Sequence, residues 1–365
     1  MKIKEIISQL ERWAPPVYQE SYDNSGLIVG DQSIDCSGVL ITLDTIESVI
    51  DEAIELGCNM IVSHHPIVFS GIKKITGKNY VERTVLKAIK NDIAIYAIHT
   101  NLDNVHTGVN KKIADLIGLG NTKILLPKSA TLRKLTTYAP VNAAEEVKNA
   151  LFEAGAGSIG NYEECSFSSS GMGTFKPGDS SNPTIGKAGG YRETVEELKL
   201  EFLIPANLTE QLLSALINAH PYEEVSYFLT ELVNQNQEVG TGMIGELPQP
   251  VETLNFLAQL KKTMQINCIR HTDVCKKEIK KVAVCGGAGG FLLNRAKSAG
   301  ADIFITADYK YHEFFDADGQ IIIADIGHYE SEAFTKQLIY DFLIEKLTNI
   351  ALHSSKVNTN PIKYL

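Results

Sequence analysis

The sequence lacks the features that mark several specialised classes of protein. Only six of its 365 residues are cysteines and none forms a CxxC pair, which excludes a dense disulfide framework and favours a reducing compartment. No apolar run approaches the length of a membrane span. Lysine, arginine and glutamate interrupt the first residues, where a secretory signal needs an apolar core. We therefore expect a cytoplasmic protein without a membrane partner.

Basic side chains are scarce relative to acidic ones. The chain has 34 Lys and Arg residues against 44 Asp and Glu residues, a net charge of -10, which repels phosphate backbones. Nucleic acid is therefore not an expected partner, although a metal or a glycine-rich turn can still attract a small anionic substrate. With 44% hydrophobic residues over this length, the chain can bury a sizeable core and form more than one domain.

Two segments in which strand and helix patterns alternate flank a segment with a different pattern. Residues 1–125 alternate β-rich runs with helical patterns, and the same alternation resumes over 237–365. We predict that these two halves form one α/β unit of the three-layer α/β/α type. The clearest strands of the first half are predicted at 39–45, 59–65 and 93–100. The polar tail from residue 354 is expected to be frayed or docked on a neighbour.

Residues 126–236 are predicted to form an inserted α+β domain, a plausible size for an independent module. Strand and helix patterns occur both before and after residues 166–190. Residues 166–190 themselves have almost no apolar periodicity. We expect that stretch to be a long loop, either a mobile lid or a plain surface loop. Asn207 is the predicted N-cap of the helix that follows it.

Five side chains of metal-ligating type follow the ends of predicted strands in the outer segments. Because open α/β sheets place their sites at the carboxyl edge of the strands, we expect these side chains to converge. If the last segment is already helical, its histidine and glutamate lie one turn apart on the same face. The five residues are His64, His65, Asp103, His328 and Glu332.

Five ligands of this mixture exceed what a closed tetrahedral site needs. They suit two divalent metal ions that share a bridging carboxylate and keep positions open for water. Imidazole with carboxylate accepts Zn, Fe, Mn or Co, and we expect zinc in a purified sample. The alternative is that these residues have only structural roles: histidines at strand ends cap backbone groups, and His/Glu pairs lie on solvated helix faces. The shared sheet edge favours the metal site.

Two further features are predicted to border this edge. Gly286, Gly287, Gly289 and Gly290 follow a strand and precede a helix, so their amides and the helix N-terminus are candidates for holding a phosphate; a tight turn is the alternative. Candidates at the mouth of the site are Thr306, Asp308, Lys310 and His312. Four further residues could orient the ligands through hydrogen bonds, or could simply stabilise turns: Asn24, Asp44, Thr45 and Asn101.

The motifs VSHHPIVF (62–69), AIHTNLDN (97–104), CGGAGG and DIGHYESE (325–332) together closely resemble the GTP cyclohydrolase I type 2 homologue family, also called the Nif-three-like family. In that family the HH pair, the Asp of HTNLD and the His and Glu of GHxxxE bind two metal ions. The resemblance therefore implies the same role for the five residues named above.

The middle segment has a resemblance of its own. HPYEEVSYFL (220–229), with GxGxFxP at 171–177, is similar to the insert of longer bacterial members of the family. That insert is similar to ferredoxin-like modules of the PII and CutA type. The resemblance implies a homo-oligomer, specifically a hexameric toroid.

The resemblance leads to three functional hypotheses. The first is a metal-dependent hydrolase of GTP cyclohydrolase type, in which activated water attacks the purine C8 and formate is released, with His99 as proton shuttle and Gly286, Gly287 or Lys310 on the triphosphate. The second is a two-metal phosphohydrolase of a small nucleotide or phosphoester. The third is a non-enzymatic, metal-binding regulatory toroid whose insert senses a small ligand.

Overall fold

The structure is a computed structural model that describes residues 1–365. The chain divides into two compact units. The outer unit consists of Met1–Pro127 and Gln237–Leu365, and the inserted unit consists of Lys128–Asn236. None of the helices combines the length and the apolar content that crossing a lipid bilayer requires.

Helices and strands are numbered along the chain. The α-helices are α1 (Ile3–Trp13), α2 (Glu47–Glu55), α3 (Tyr80–Lys90), α4 (Thr100–Asp103), α5 (Val109–Ile117), α6 (Ala144–Glu153), α7 (Thr209–Ala219), α8 (Thr253–Thr263), α9 (Leu293–Ser298), α10 (His328–Glu332) and α11 (Thr335–Lys346). The strands are β1 (Gly26–Val29), β2 (Val39–Thr42), β3 (Met60–Ser63), β4 (Ala94–Ala97), β5 (Gly120–Pro127), β6 (Leu132–Pro140), β7 (Ser166–Phe175), β8 (Glu193–Pro205), β9 (Tyr227–Glu231), β10 (Gly240–Glu252), β11 (Arg270–His271), β12 (Glu278–Ala288), β13 (Ile303–Ala307), β14 (Ile322–Asp325) and β15 (Leu352–Ser354). Short 3-10 helices are formed by Pro16–Tyr18, Ala206–Leu208, Gly290–Leu292 and Tyr311–Ala317.

The first sheet of the outer unit has five strands in the order β1-β4-β3-β2-β15. Strand β1 is antiparallel to its neighbour and the other pairs are parallel. Every residue of β2, β3 and β4 is buried, as is typical of parallel strands covered on both faces. These three strands confirm the predictions at 39–45, 59–65 and 93–100.

The second sheet of the outer unit has six strands in the order β11-β14-β13-β12-β10-β5, with β12, β13 and β14 parallel. Its edge strand β5 precedes the inserted unit in the chain and pairs with β10, which follows that unit. The terminal strand β15 pairs with β2 of the first sheet. Each outer segment thus gives a strand to the sheet that the other mainly forms, because strand pairing depends on contacts that local periodicity does not encode.

Alternate residues of the two sheets face different cores. One cluster contains residues of both sheets together with helices α1, α5, α8 and α11. The opposite faces pack against α2 and α3 in the first sheet and against α9 in the second. The outer unit is therefore a mixed α/β fold with more than one sheet.

The C-terminal tail is bound to the outer unit itself. The hydroxyl of Ser355 and the amide of Lys356 both donate to the carboxylate of Glu52, and the side-chain amide of Asn360 donates to Glu330 at 3.0 Å. Residues 355–360 of the tail are therefore not frayed, because their polar groups find acceptors on their own unit.

The inserted unit has the element order β6, α6, β7, β8, α7, β9. Its four strands form an antiparallel sheet in the order β7-β8-β6-β9. Helices α6 and α7 cover one face of this sheet and share a core with Leu200, Phe202 and Ile204 of β8. These contacts alternate along β8, as a half-buried strand requires.

Two predictions for the inserted unit were wrong in detail. The first part of the expected loop, 166–175, is the edge strand β7, which pairs with β8 along its whole length. Its serines and glycines are mostly exposed, so the backbone ladder holds the strand and no apolar alternation marks it. Helix α7 begins at Thr209 after a 3-10 turn, and Leu208 occupies its N-cap position; Asn207 is therefore not the N-cap.

Candidate metal centre

The five predicted ligands lie together in the outer unit. His64 and His65 directly follow β3, and Asp103 ends α4, which follows β4. His328 and Glu332 begin and end α10, which follows β14 of the second sheet. The five side chains therefore come from the carboxyl ends of strands in two sheets, so the prediction of a single sheet edge was wrong.

Glu332 stands at the middle of the cluster and is only 3% exposed. Its Oε2 lies 2.9 Å from Nε2 of His65 and 3.2 Å from Nε2 of His328. Its other oxygen, Oε1, faces Nε2 of His64 at 3.9 Å, and that same nitrogen lies 3.6 Å from Oδ1 of Asp103. The two carboxylate oxygens thus face two different groups of ligands, as a bridging carboxylate does.

Each of the four histidines near the centre has its Nδ1 atom bound to an acceptor of the protein. A carbonyl or carboxylate holds the proton on Nδ1, so that the lone pair of Nε2 is free for a metal. The pairs are His64 with the carbonyl of Ile98 at 2.9 Å, and His65 with Asp44, His99 with Asp23 and His328 with Asp308, each at 2.7 Å.

Two buried atoms at the centre have no hydrogen-bond partner, Nε2 of His64 and Oδ1 of Asp103. Because the carbonyl of Ile98 can only accept, the proton of His64 lies on Nδ1, and Nε2 therefore presents a lone pair to the lone pairs of Asp103. Burying two such groups without a donor is unfavourable. A divalent cation between them satisfies both, and imidazole with carboxylate is a suitable donor set.

Protons hold this cluster together when no cation does. Burial lowers the pKa of His65, but hydrogen bonds to Asp44 and Glu332 outweigh burial and raise the pKa to about 10. The pKa of His328 is raised to about 9, because its hydrogen bonds to Glu332 and Asp308 likewise outweigh burial. Burial, followed by the charge of Glu332, raises the pKa of Asp103 to about 7.

Glu332 itself shifts in the opposite direction. Burial raises the pKa of its carboxyl group, but hydrogen bonds from His328 and His65 outweigh this effect and hold the pKa well below its usual range. The central carboxylate is therefore ionised, and it attracts either protonated imidazoles or a metal cation.

The potential ligand atoms form three overlapping sets, and within each set all atoms lie within 4.8 Å of one another. Two of the sets share Glu332. The sets are His64, Asp103 and Glu332; His65, His328 and Glu332; and His64, His65 and His99. His99, predicted as a proton shuttle, thus also lies within reach of the ligands.

Asp308, predicted at the mouth of the site, is the acceptor that orients His328. Its backbone lies in the left-handed region, with φ of 59°, a conformation that Asp tolerates better than most residues. Ala307, which precedes it, is buried at the end of β13 and does not adopt a positive φ.

The structure gives no support to a phosphate cradle at Gly286 and Gly287. The amide of Gly286 donates to Asn110 and that of Gly287 donates to Ser331, both at 3.0 Å. These amides are therefore already occupied within the protein. The glycines have a steric role instead, because a Cβ atom at Gly287 would overlap with Oε1 of Glu332.

The structure does not bring Lys310 or His312 into the cavity at the centre. The side chain of Lys310 is 84% exposed and its nearest acidic partner is Glu313. The ring of His312 packs against exposed aromatic side chains of the same 3-10 helix. Lys310 was predicted to bind the substrate, and its position gives no support to that role.

The remaining orienting candidates differ in their roles. Asp44 accepts from His65, as expected for a residue behind a ligand. Asn101 accepts from the amide of His99 and donates to the carbonyl of Ala14, so it holds the chain at His99 rather than Asp103. The remaining candidates do not contact a ligand: Thr45 is buried, Thr306 bonds the glycine turn, and Asn24 donates to the carbonyl of Val68.

A cavity of about 480 Å³ opens onto the ligands. Its lining includes the aromatic rings of Tyr22, Phe69, Phe291 and Tyr329. The C-terminal tail also lines it, through residues 360–362.

Sequence reasoning missed two parts of this site. Asp23, which accepts from His99, lies 76 residues away from it in the chain. Thr359, whose hydroxyl donates to Asp44 behind His65, lies 315 residues from that carboxylate. Neither residue belongs to a motif, and only their acidic or polar character in a turn or tail could have suggested them.

Comparison with known proteins agrees with this architecture. The family model of Duf34/NIF3 (NGG1p interacting factor 3) matches residues 1–361. A Staphylococcus epidermidis protein named GTP cyclohydrolase 1 type 2 homolog is 38% identical over 368 residues, which cover 100% of both chains. A Bacillus subtilis protein of the same name is 37% identical over 368 residues, covering 99% of this chain and 98% of that one. The crystal structure of a Bacillus cereus protein related to NIF3 matches with a TM-score of 0.88 at 38% identity, covering 100% of this chain and 99% of that one.

Proposed function

This chain belongs to the Duf34/NIF3 family, and on that premise we propose that it is a hydrolase that uses two divalent metal ions. The observation that carries the proposal is the pair of buried, unpartnered atoms, Nε2 of His64 and Oδ1 of Asp103, beside a carboxylate whose two oxygens face two ligand sets. Such an arrangement is costly unless a cation completes it.

The ligands divide between two ions in a simple way. One ion would be held by His64, Asp103 and Oε1 of Glu332, and the other by His65, His328 and Oε2 of Glu332. Zinc suits this set of imidazoles and carboxylates, as do iron, manganese and cobalt. Three protein ligands per ion leave positions for water and substrate.

A bound pair of ions supplies Lewis acidity, which makes water a better nucleophile and polarises the substrate. The protein moves the proton. Burial raises the pKa of Asp23, but the hydrogen bonds from His99 and Thr100 outweigh it and lower the pKa far below its usual value. An ionised Asp23 keeps a proton on Nδ1 of His99, so Nε2 of His99 is the base that faces the cavity.

The substrate that we propose is a purine nucleotide, opened at its five-membered ring with release of formate. The name of two relatives, GTP cyclohydrolase 1 type 2 homolog, supports this choice. The aromatic side chains that line the cavity support a planar substrate. With the glycine amides occupied, the phosphates would need the metal ions or solvent as partners.

Proton and phosphorus NMR of GTP with the metal-loaded protein tests the proposal. We expect a formate signal that the His328→Ala variant, purified in the same way, does not produce. Phosphate without formate would replace the cyclohydrolase by a two-metal phosphohydrolase. Unchanged GTP would contradict the nucleotide substrate and favour a regulatory metal protein.

Two further proposals follow from the family. We propose that the inserted unit is a ferredoxin-like module of the PII and CutA type, which its element order β-α-β-β-α-β and antiparallel sheet support. We also propose a three-layer α/β/α arrangement for the outer unit and a cytoplasmic homohexamer. Light scattering coupled to size-exclusion chromatography measures the assembly, and a monomeric mass would contradict it.

A further inference from the structure

The inserted unit contains a cavity of its own, of about 450 Å³. It lies beside β7 and β8, and residues of the irregular segment that follows β7 form part of its lining. The two motifs that marked this unit in the sequence, GxGxFxP and HPYEE, both contribute to its lining. The proposed hydrolase makes no use of this cavity.

A buried carboxylate forms one wall of the cavity. Glu197 on β8 is only 9% exposed. Its Oε1 accepts a hydrogen bond from the hydroxyl of Tyr222 at 2.9 Å, whereas no group of the protein donates to its Oε2, which stays accessible from the cavity. No lysine, arginine or histidine forms an ion pair with it. A buried carboxylate in this state lacks the cation that would normally compensate its charge.

The nearby histidine does not supply that cation. Nδ1 of His220 accepts from the amide of Tyr222 at 3.1 Å, so Nδ1 carries no proton. Nε2 lies 2.8 Å from the carbonyl of Tyr138 and must therefore donate to it. His220 is thus a neutral imidazole, and burial moves its pKa further down.

The glycine at position 173 leaves space beside Oε2 of Glu197. A Cβ atom at Gly173 of β7 would overlap with Oε2 of that carboxylate. Gly173 has no positive φ, so no backbone requirement demands glycine there. The second glycine of GxGxFxP is therefore explained by the room that the carboxylate needs.

Aromatic rings form the rest of the recognition surface. The rings of Phe175 and Tyr222 lie 5.9 Å apart between centroids, and Tyr138 lines the same cavity. Glu223 and Glu224 add negative charge to the lining, and Lys176 is its one cationic side chain. Aromatic faces beside a carboxylate are the surroundings in which proteins bind organic cations.

We propose that this cavity binds a small organic cation with N–H donors, a protonated amine or amidine, whose N–H group donates to Oε2 of Glu197 and whose body lies against Phe175 and Tyr222. The site belongs to the inserted unit alone and does not depend on metal or on hydrolysis. The cation would supply a positive charge and an N–H donor to a carboxylate whose one side-chain partner in the protein is the hydroxyl of Tyr222.

Benzamidine is a suitable probe, because it combines an amidinium group with an aromatic ring. Isothermal titration of the metal-loaded, full-length protein should show benzamidine binding and no binding of benzoate, which has the same shape and the opposite charge. Glu197→Gln keeps the shape of the side chain and removes its charge, and we expect it to weaken binding by about tenfold or more. Glu196→Gln, on the exposed neighbour, should leave the affinity unchanged.

Gly173→Ala provides a second, independent variant, because its methyl group occupies the space beside Oε2. We expect it to weaken benzamidine binding while the metal content stays that of the parent protein. Absence of benzamidine binding to the parent protein would overturn the proposal. So would an affinity that Glu197→Gln and Gly173→Ala leave unchanged, or equal binding of benzoate. Failure of GTP hydrolysis, in contrast, would concern only the metal centre.

Discussion

The outer and the inserted unit each bury a carboxylate, but the two surroundings differ in what they lack. Around Glu332, the lone pairs of several imidazoles and of a second carboxylate converge on the same few ångströms. Around Glu197, one free oxygen faces a cavity of about 450 Å³ with aromatic walls. The first environment suits a small metal ion, because several lone pairs converge on one point. The second suits an organic cation, because a single acceptor oxygen leaves room for a molecule.

The two sites also differ in how their polar groups are held. In the outer unit, every histidine of the centre is oriented by an acceptor on Nδ1, so the ligands are fixed before any ion arrives. In the inserted unit, one hydroxyl, that of Tyr222, holds the carboxylate. Changes in the two units should therefore have separate effects, metal content in one and cation binding in the other.

The largest expected effect is that of removing the shared ligand. Glu332→Gln retains the shape of the side chain but loses the charge that both ligand sets use, so we expect metal to fall from about two ions to fewer than about one per chain. Elemental analysis after reconstitution and dialysis measures it. Glu330→Gln, at a residue bound to Asn360 outside the ligand sets, is the matched control. Full occupancy in Glu332→Gln would contradict the bridging role.

A second prediction concerns the glycine turn. At Gly287 a Cβ atom would overlap with Glu332, and the backbone has φ of 61°; we expect Gly287→Ala to cost about 1–3 kcal/mol of stability and to lower metal affinity. Gly300 also has a positive φ, of 75°, but its Cβ would meet nothing within 4 Å. Gly300→Ala should therefore lower the unfolding temperature and leave metal affinity unchanged. Equal metal affinity in both variants would show that the overlap is unimportant.

A third prediction is a pH dependence that only the metal-free protein shows. The pKa of His65 is raised from 6.5 to about 10 and that of His328 to about 9. A histidine whose pKa is raised by folding adds to the free energy of unfolding. This contribution is complete below about pH 6.5 and is lost as the pH rises through 9 to 10. We therefore expect the unfolding temperature of chelator-treated protein to fall over this range. The unfolding temperature of the metal-loaded protein should fall less, because its imidazoles bind the ion in their neutral form. Parallel curves of unfolding temperature against pH would contradict this account.

The smallest expected effect is that of the tail. Thr359→Val removes the hydroxyl that donates to Asp44, the carboxylate behind His65. We expect metal affinity to fall by about tenfold, at the lower end of what such indirect supports contribute. Competition with a chromogenic chelator measures the affinity, and Thr359→Ser should restore it. An affinity loss that serine does not repair would point to packing of the tail instead of the hydrogen bond.

Much of the outer unit could be predicted because its signals are local. Buried parallel strands have continuous apolar runs in the sequence, and this pattern predicts β2, β3 and β4. The family resemblance, drawn from four motifs, was confirmed over residues 1–361. Edge strand β7 escaped prediction because small, exposed residues carry no apolar alternation, and its stability comes from the backbone ladder with β8.

By itself, the sequence determined which chemical groups stand at the ends of the strands, since side-chain type and position after an apolar run are local properties. It also determined the family. Only the tertiary structure decided how these groups are used: that the glycine amides are already bound, that Asp23 holds His99, and that Thr359 reaches Asp44 across 315 residues. Hydrogen-bond partners so far apart in the chain are chosen by packing, and no local pattern records that choice.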